Sequence, residues 1–232
     1  MVNKYLGMPD IPVSANEEDC LNMEKYVKGL VRFVSECYTP MSIALQGDWG
    51  TGKTSFINRM QGMLDQSTNK EIVTIYFNTW QYSQFNMADS LYYSFVQCIV
   101  NCIKEKKPIP SSLRENVLQS VLNVTMDIGK QVLESHTGVD LKVLSDEISR
   151  HGREKMENIE KLKADYSKLI DETAGNNGRV VIFIDDLDRL APAKAVELLE
   201  VLKLFLDCEG CVFILAIVYG CKKLCFCPCN RL

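Results

Sequence analysis

The sequence predicts an α/β fold, in which a parallel β-sheet is flanked by helices. Short segments rich in β-branched and aromatic residues alternate along the chain with segments whose apolar residues recur at helical spacing. Such alternation is typical of a parallel sheet with helices on both faces. The chain has 232 residues, of which 47% are hydrophobic and 24% are charged. This length and composition predict one globular domain over residues 1–232.

The first half of the chain contains two predicted strands and the helices that accompany them. A polar lead-in, residues 1–18, precedes a helix predicted over residues 19–37 from its apolar spacing. Residues 41–46 are mostly apolar and predict a strand buried on both faces. A glycine-rich turn and a second helix follow this strand. Residues 72–80 are β-branched and aromatic and predict the second strand.

A helical insert, residues 105–175, is predicted in the middle of the chain. Helical spacing predicts helices over residues 88–106, 111–135 and about 141–172. The last of these is heavily charged and can form a protruding hairpin, through which a protein partner or a second copy would bind. An apolar stripe along it predicts packing within the chain in preference to a partner surface. The stripe consists of Met156, Ile159, Leu162, Tyr166 and Leu169.

Two more strands and one helix complete the predicted fold. Residues 180–184 are all apolar and predict a buried third strand that ends in acidic residues. Residues 192–207 predict a helix whose first turn suits Pro192. Residues 211–219 predict the fourth strand.

The glycine-rich turn between the first strand and its helix predicts a phosphate-binding loop. It matches the Walker A pattern G-x-x-x-x-G-K-[ST] through Gly47, Gly52, Lys53 and Thr54. Glycines let the backbone curl so that its N–H groups point at phosphate oxygens, and the helix N-terminus adds its dipole. Lys53 is predicted to contact the β- and γ-phosphates and so to act as a catalytic residue, and Thr54 is predicted to ligate Mg²⁺. The predicted nucleotide-binding residues are Gly47, Asp48, Trp49, Gly50, Thr51, Gly52, Lys53, Thr54 and Ser55.

A pair of acids follows the third strand, at the end that faces the ligand crevice in open α/β sheets. Asp185 is predicted to ligate Mg²⁺ directly or through water. Asp186 is the predicted catalytic residue that orients and deprotonates the attacking water. Two acids on their own would be interpreted as caps of the following turn or helix. Because the chain also has a complete phosphate loop, a catalytic role for the acids is favoured. Asp188 and Arg189 are expected to pair with each other, in preference to a role for Arg189 in stabilising transition-state charge.

Three segments resemble the KAP family of P-loop NTPases: residues 47–55 (GDWGTGKTS), 76–83 (YFNTWQYS) and 183–190 (FIDDLDRL). The helix and strand after the last segment also look like this family, so the resemblance covers most of the chain except about 105–175. It implies an additional-strand ATPase fold, with the loop-bearing and acid-bearing strands adjacent or next but one in a parallel sheet. It also implies ATP or GTP with Mg²⁺, hydrolysis, and a switch-like role.

Many members of that family carry transmembrane helices between the two nucleotide motifs, whereas this chain has charged helices there. Its longest apolar-looking helical run, residues 91–103, is too short to span a bilayer. The start of the chain lacks a signal peptide, so we expect a cytoplasmic protein. The net charge of -4 gives no reason to expect nucleic acid. Relatives without transmembrane helices are often tied to phage defence in bacteria, which implies a defence or signalling complex.

The end of the chain departs from the family's pattern. Relatives have a polar or acidic residue after the fourth strand that senses the γ-phosphate, whereas residues 217–220 read IVYG here. A strand and a helical lid would follow, but residues 221–232 form a cysteine-rich tail. Two interpretations of the tail are open: it forms a Zn²⁺ site together with Cys208 and Cys211, or it results from an altered reading frame or alternative end that truncates the domain. Without lid and sensor we expect slower hydrolysis.

Three functions are therefore compared. The first is an ATPase switch, and the second is a nucleotide-loaded scaffold that does not hydrolyse, or a truncated, inactive ATPase domain. The third is a small-molecule kinase, which ranks last because a kinase needs an arginine-rich lid near its C-terminus. Only Arg231 follows Arg189 in this sequence.

Overall fold

A computed structural model of the chain shows four strands and seven α-helices within the residues that it describes. The described residues are 11–15, 17, 19, 21–67, 71–84, 91–134, 141–175 and 178–218. In chain order the elements are α1 (Glu24–Glu36), β1 (Met41–Gln46), α2 (Lys53–Asp65), β2 (Ile72–Asn78), α3 (Thr79–Gln84), α4 (Leu91–Lys106), α5 (Ser111–Glu134), α6 (Leu141–Ala174), β3 (Arg179–Asp185), a 3₁₀ helix (Leu187–Arg189), α7 (Pro192–Leu206) and β4 (Cys211–Ile217).

The four strands form one parallel sheet in the order β1-β4-β3-β2. The predicted α/β fold with a parallel sheet is therefore confirmed. Strand β4 lies between β1 and β3, so the strands that precede the glycine-rich turn and the acids are next but one. Because the strands are parallel, their carboxyl ends meet at one edge of the sheet. Gln46, Asn78 and Asp185 end three of the strands at that edge.

Strand β3 is buried on both faces because helices cover both sides of the sheet there. Its residues Val180, Ile182 and Ile184 pack with α4, α5, α6 and α7. The alternate residues Val181 and Phe183 pack with α1 and α2 on the other face. Each such buried side chain stabilises the fold by about 1.5–3 kcal/mol relative to exposure. The core therefore fixes the position of the acids that follow β3.

Strand β1 differs from the predicted strand buried on both faces. Ile43 and Leu45 are half-buried against the core formed with α1 and α2. Ser42 and Ala44, which point to the other face, are exposed. An apolar run predicts a buried strand but does not reveal its place in the sheet, and β1 is an edge strand of the sheet that the structure describes.

Several predicted element boundaries were wrong, and at two of them a side-chain hydrogen bond lies at the observed boundary. Strand β4, predicted to reach residue 219, also ends earlier, at Ile217. Helix α1 begins at Glu24, whose N–H donates a hydrogen bond to the Asp19 carboxylate at 2.7 Å. That hydrogen bond also lowers the pKa of Asp19. Strand β2 ends at Asn78 and does not continue to residue 80. The Asn78 side-chain oxygen accepts a hydrogen bond from the Gln81 N–H at 2.9 Å, which caps the start of α3.

The helical insert packs into the core where α5 and α6 lie beside the sheet. The Ser120 hydroxyl donates to the Asp165 carboxylate at 2.6 Å, which joins the two helices. Of the predicted stripe on α6, Leu162, Tyr166 and Leu169 are buried, and Ile159 packs against them. Met156 is 63% exposed, so the stripe is packed within the chain only from Ile159 onward.

The described part of the lead-in lies along α2. The Val13 N–H donates to Ser55 Oγ at 3.0 Å, and the Val13 carbonyl accepts from Asn58 Nδ2 at 3.1 Å. Residues 1–10 and the cysteine-rich tail, 221–232, lie outside the described residues. Among the helices described, none combines the length and the apolar composition that a membrane crossing requires.

Candidate functional site

The loop between β1 and α2 has a backbone that requires glycine at several positions. Gly50 and Gly52 have φ angles of 76° and 85°, which favour glycine strongly. A Cβ atom on Gly47 would lie 2.6 Å from Thr51 Oγ1, because the Thr51 hydroxyl turns back to donate to the Asp48 carbonyl at 2.8 Å. Two glycines are therefore required by conformation, and the third is required by space.

Lys53 lies within the curve of this loop. Its ammonium donates hydrogen bonds to the carbonyls of Gly47 and Asp48 at 2.9 and 3.0 Å. An anionic phosphate oxygen forms stronger hydrogen bonds with an ammonium than a neutral carbonyl does, so a phosphate can displace these carbonyls. Gly52 is the N-cap residue of α2 and has no side chain to cap the first N–H groups. The positive end of the helix dipole is thus open to an anion.

A hydrogen bond joins this loop to the acids after β3. The Thr54 hydroxyl donates to Asp185 Oδ2 at 2.8 Å. The Tyr76 hydroxyl donates to the same oxygen at 3.1 Å, and the Asp186 N–H donates to Asp185 Oδ1 at 2.9 Å. Burial, and then the negative charge of Asp185, raise the pKa of Tyr76, so its phenol stays protonated as a donor. Asp185 is therefore held from three sides and is only 2% exposed.

The residues around Asp185 fit a magnesium ion. Mg²⁺ prefers hard oxygen ligands such as carboxylates and hydroxyls. The carboxylate of Asp185 and the hydroxyl of Thr54 are such ligands, and they are in direct contact. The Thr79 hydroxyl donates to the Asp185 backbone carbonyl at 2.9 Å and fixes the backbone of the acid. The two residues predicted from the sequence as metal ligands are thus brought together.

Asp186 is held in an unusual conformation with both carboxylate oxygens engaged. Its φ angle is 58°, in the left-handed region that few residues other than glycine adopt. Asn78 Nδ2 donates to Asp186 Oδ2 at 2.8 Å. Arg189 Nε pairs with Asp186 Oδ1 at 2.7 Å, so the expected pairing of Arg189 with Asp188 was wrong. The 3₁₀ turn after β3 folds Arg189 back over Asp186, which sequence spacing alone did not reveal.

The guanidinium of Arg189 also contacts both tryptophans of the chain. It lies 5.7 Å from the ring centroid of Trp49 and 5.6 Å from that of Trp80. Trp49 belongs to the loop after β1, and Trp80 belongs to α3. The cation–π contacts therefore link the loop, the acidic turn and the end of β2 through one residue. This Trp49–Arg189–Trp80 cluster was missed by sequence reasoning.

Other predicted site residues lie around this centre at different positions. Trp49 is 69% exposed on the outside of the loop. Ser55 is engaged with the lead-in, since its hydroxyl oxygen accepts from Val13. Tyr76 and Asn78 were missed as site residues, although both stand in one of the segments that carry the family resemblance.

In the part of the chain that is described, no group of three or more metal-binding side chains occurs, and the Zn²⁺ interpretation depends on tail residues outside it.

Comparison with known proteins agrees with this geometry. No curated protein matches the chain. The family model described as the KAP family P-loop domain matches residues 23–217, a range that includes every element from α1 to β4. Such a domain implies nucleotide binding. The loop, the acids and the parallel sheet between them are those of a P-loop NTPase, and the chain belongs to the KAP family.

Proposed function

We propose that the chain binds ATP or GTP with Mg²⁺ and hydrolyses it as a molecular switch. The observation that carries this proposal is the 2.8 Å hydrogen bond between Thr54 and Asp185. It places the start of α2, where phosphate would bind, directly beside the acids that follow β3. Binding and hydrolysis need both parts within reach of one triphosphate.

In the binding step, the backbone N–H groups of the loop and the first turn of α2 receive the phosphates. Lys53 leaves the carbonyls of Gly47 and Asp48 and donates to the β- and γ-phosphates. The other loop residues proposed to bind are Trp49, Gly50, Thr51, Gly52, Thr54 and Ser55. Thr54 and Asp185 would hold Mg²⁺, which neutralises charge on the phosphates when it is bound.

In the hydrolytic step, Asp186 orients the attacking water and accepts its proton. The Asn78 amide can hold one carboxylate oxygen in place while the other turns to the water. Arg189 pairs with that second oxygen, and movement of Arg189 away from Asp186 would free the oxygen to accept the proton of the water. Movement of Arg189 would also change its contacts with Trp49 and Trp80, which provides the conformational response of a switch.

The test is phosphate release from ATP and GTP, measured with and without Mg²⁺. We expect release that requires Mg²⁺ and is lost in Asp186→Asn, while that variant still binds nucleotide. Asp188→Asn serves as the matched control, because it changes an acid of the same turn that is not assigned to the reaction. Release by Asp186→Asn at the wild-type rate would contradict the proposed role of Asp186.

A non-hydrolysing, nucleotide-bound scaffold is the second candidate, and one observation favours it. Both oxygens of Asp186 are already engaged by Asn78 and Arg189, which leaves fewer carboxylate lone pairs for a water in this conformation. Such a protein would bind nucleotide tightly and release no phosphate. Tight binding without release, unchanged by Asp186→Asn, would select the scaffold over the switch.

We propose that the helical insert provides contacts with a protein partner or a second copy of the chain. Its support is the exposed Met156 on α6, which lies beyond the part of the stripe packed in the core. Sedimentation of the wild type and Met156→Asp, with and without nucleotide, tests self-association. Equal sedimentation of both proteins as monomers would remove the second copy as the partner. A place in a bacterial defence or signalling complex is proposed on family likeness.

A further inference from the structure

Cys208 and Cys211 flank a β-turn between α7 and β4. This turn lies at the amino ends of the strands, opposite the candidate nucleotide site at their carboxyl ends. The Cys211 N–H donates to the Cys208 carbonyl at 3.3 Å, and Gly210 has a φ angle of 78°. A positive φ at this third position is typical of a type II turn, whose first and last Cα atoms lie within about 7 Å. A disulfide spans Cα atoms about 4.4–6.8 Å apart. The turn therefore holds the two cysteines at a separation that a disulfide can bridge.

The fold fixes this turn from both sides. The Gly210 N–H donates to Thr39 Oγ1 at 3.0 Å. The Gly210 carbonyl accepts from the Val180 N–H at 2.8 Å, next to the start of β3. Since both contacts involve distant parts of the chain, the approach of the two cysteines depends on the folded state.

The two thiols have different environments. Cys208 is half-buried and lines a cavity of about 250 Å³, whereas Cys211 is buried, with its sulfur 3.7 Å from the Tyr166 hydroxyl. A hydrogen bond from Cys211 lowers the pKa of Cys208. The same hydrogen bond, and then burial, raise the pKa of Cys211. Cys208 is the more exposed thiol of the pair and the one that ionises more readily, so it is the nucleophile that an oxidant meets first.

We propose that Cys208 and Cys211 form an oxidative modification site, a dithiol that a hydroperoxide converts reversibly into a disulfide. The Cys208 thiolate attacks the peroxide, an S–O bond forms, the O–O bond breaks, and the leaving oxygen takes up a proton as water or an alcohol. Cys211 sulfur then attacks the Cys208 sulfenic acid, the S–S bond forms, and the S–O bond breaks. The leaving hydroxide takes the Cys211 proton as water. Two thiols are oxidised, and one peroxide is reduced.

The charges around Cys208 favour a neutral oxidant. The cavity beside it is lined by the acids Asp171, Asp207 and Glu209 and by one cation, Lys163. This excess of negative charge repels an anionic oxidant such as glutathione disulfide and does not repel hydrogen peroxide. The cavity is large enough for the small peroxide to reach the Cys208 sulfur.

The experiment treats the folded, reduced chain with hydrogen peroxide, blocks remaining thiols by alkylation, and maps the products by mass spectrometry. Cleavage after Glu209 cuts the chain between the two cysteines, and cleavage after Tyr219 removes the cysteine-rich tail. A disulfide of this pair then keeps its two short fragments joined. We expect joined fragments, with loss of two hydrogens, that separate after treatment with dithiothreitol. Cys208→Ser should give no joined fragments. Cys211→Ala should instead accumulate a sulfenic acid on Cys208 that dimedone traps.

Two comparisons make the result specific to this site. Cys102→Ser is the matched control, because Cys102 also has a pKa lowered, to about 7, by a neighbouring thiol, and this variant should keep the joined fragments. The wild type unfolded in urea should form the joined fragments more slowly than the folded chain. Alkylated, separate fragments from the folded wild type after peroxide treatment would overturn the proposal, as would equal rates in the folded and unfolded chains.

Discussion

Replacing Asp185 with asparagine tests the site most directly. The change keeps the shape of the side chain and removes its negative charge. In the native chain the carboxylate accepts from Thr54, Tyr76 and the Asp186 N–H, at 2.8, 3.1 and 2.9 Å. An amide has one oxygen, so either the Asp186 N–H or the two hydroxyls will face an NH₂ group. A donor left unsatisfied in a buried site costs about 1–3 kcal/mol.

The larger expected effect of Asp185→Asn is on stabilisation by nucleotide. A ligand at one hundred times its dissociation constant stabilises a folded protein by about 2.7 kcal/mol. In a chain of this size, about 1 kcal/mol shifts the melting temperature by roughly 2–4 °C. Nucleotide with Mg²⁺ should therefore raise the melting temperature of the wild type by roughly 5–11 °C. Because Asp185 is a proposed Mg²⁺ ligand, the variant should lose the part of this shift that depends on Mg²⁺.

The assay is thermal unfolding followed by circular dichroism, with nucleotide, with and without Mg²⁺ and with a chelator. Asp188→Asn, in the turn that follows, is the control and should keep the full shift. Equal Mg²⁺-dependent shifts for Asp185→Asn and the wild type would refute the assignment of Asp185 as a metal ligand.

Three further changes probe the loop, the arginine cluster and the core. Lys53→Ala should abolish nucleotide binding in calorimetry with an unchanged circular dichroism spectrum, and retained affinity would defeat the loop assignment. Arg189→Ala should change tryptophan emission without nucleotide, because both indoles lose a cation within 6 Å, whereas an unchanged spectrum would contradict the cluster. Phe77→Ala should destabilise the chain by about 3–5 kcal/mol in urea unfolding, since it removes a buried ring that stacks on Tyr82 and meets Phe95 edge to face, and a loss below about 1 kcal/mol would contradict that packing.

The fold class and the phosphate loop were predictable because their signals are local. A buried strand requires an apolar run, and the loop requires glycine where φ is positive, as at Gly50 and Gly52. The alternation of strands and helices then predicts a parallel sheet. Parallel strands bring their carboxyl ends to one edge, so the approach of Thr54 to Asp185 also followed from the pattern.

The sequence alone did not predict structural features that depend on contacts between residues far apart in the chain. The exposed face of β1 follows from its place at the edge of the sheet, which its apolar pattern does not encode. The pairing of Arg189 with Asp186 instead of Asp188 depends on the turn after β3. Its contacts with Trp49 and Trp80 depend on three separate elements meeting at one point.

Residue type and spacing thus decided which groups the chain can offer: a glycine-rich loop, two neighbouring acids, and strands for a sheet. Folding decided how those groups are engaged, including the hydrogen bond and ion pair that hold both oxygens of Asp186. The physical reason is that backbone conformation and burial periodicity are properties of neighbouring residues, whereas side-chain partners are set by the packing of elements far apart in the chain.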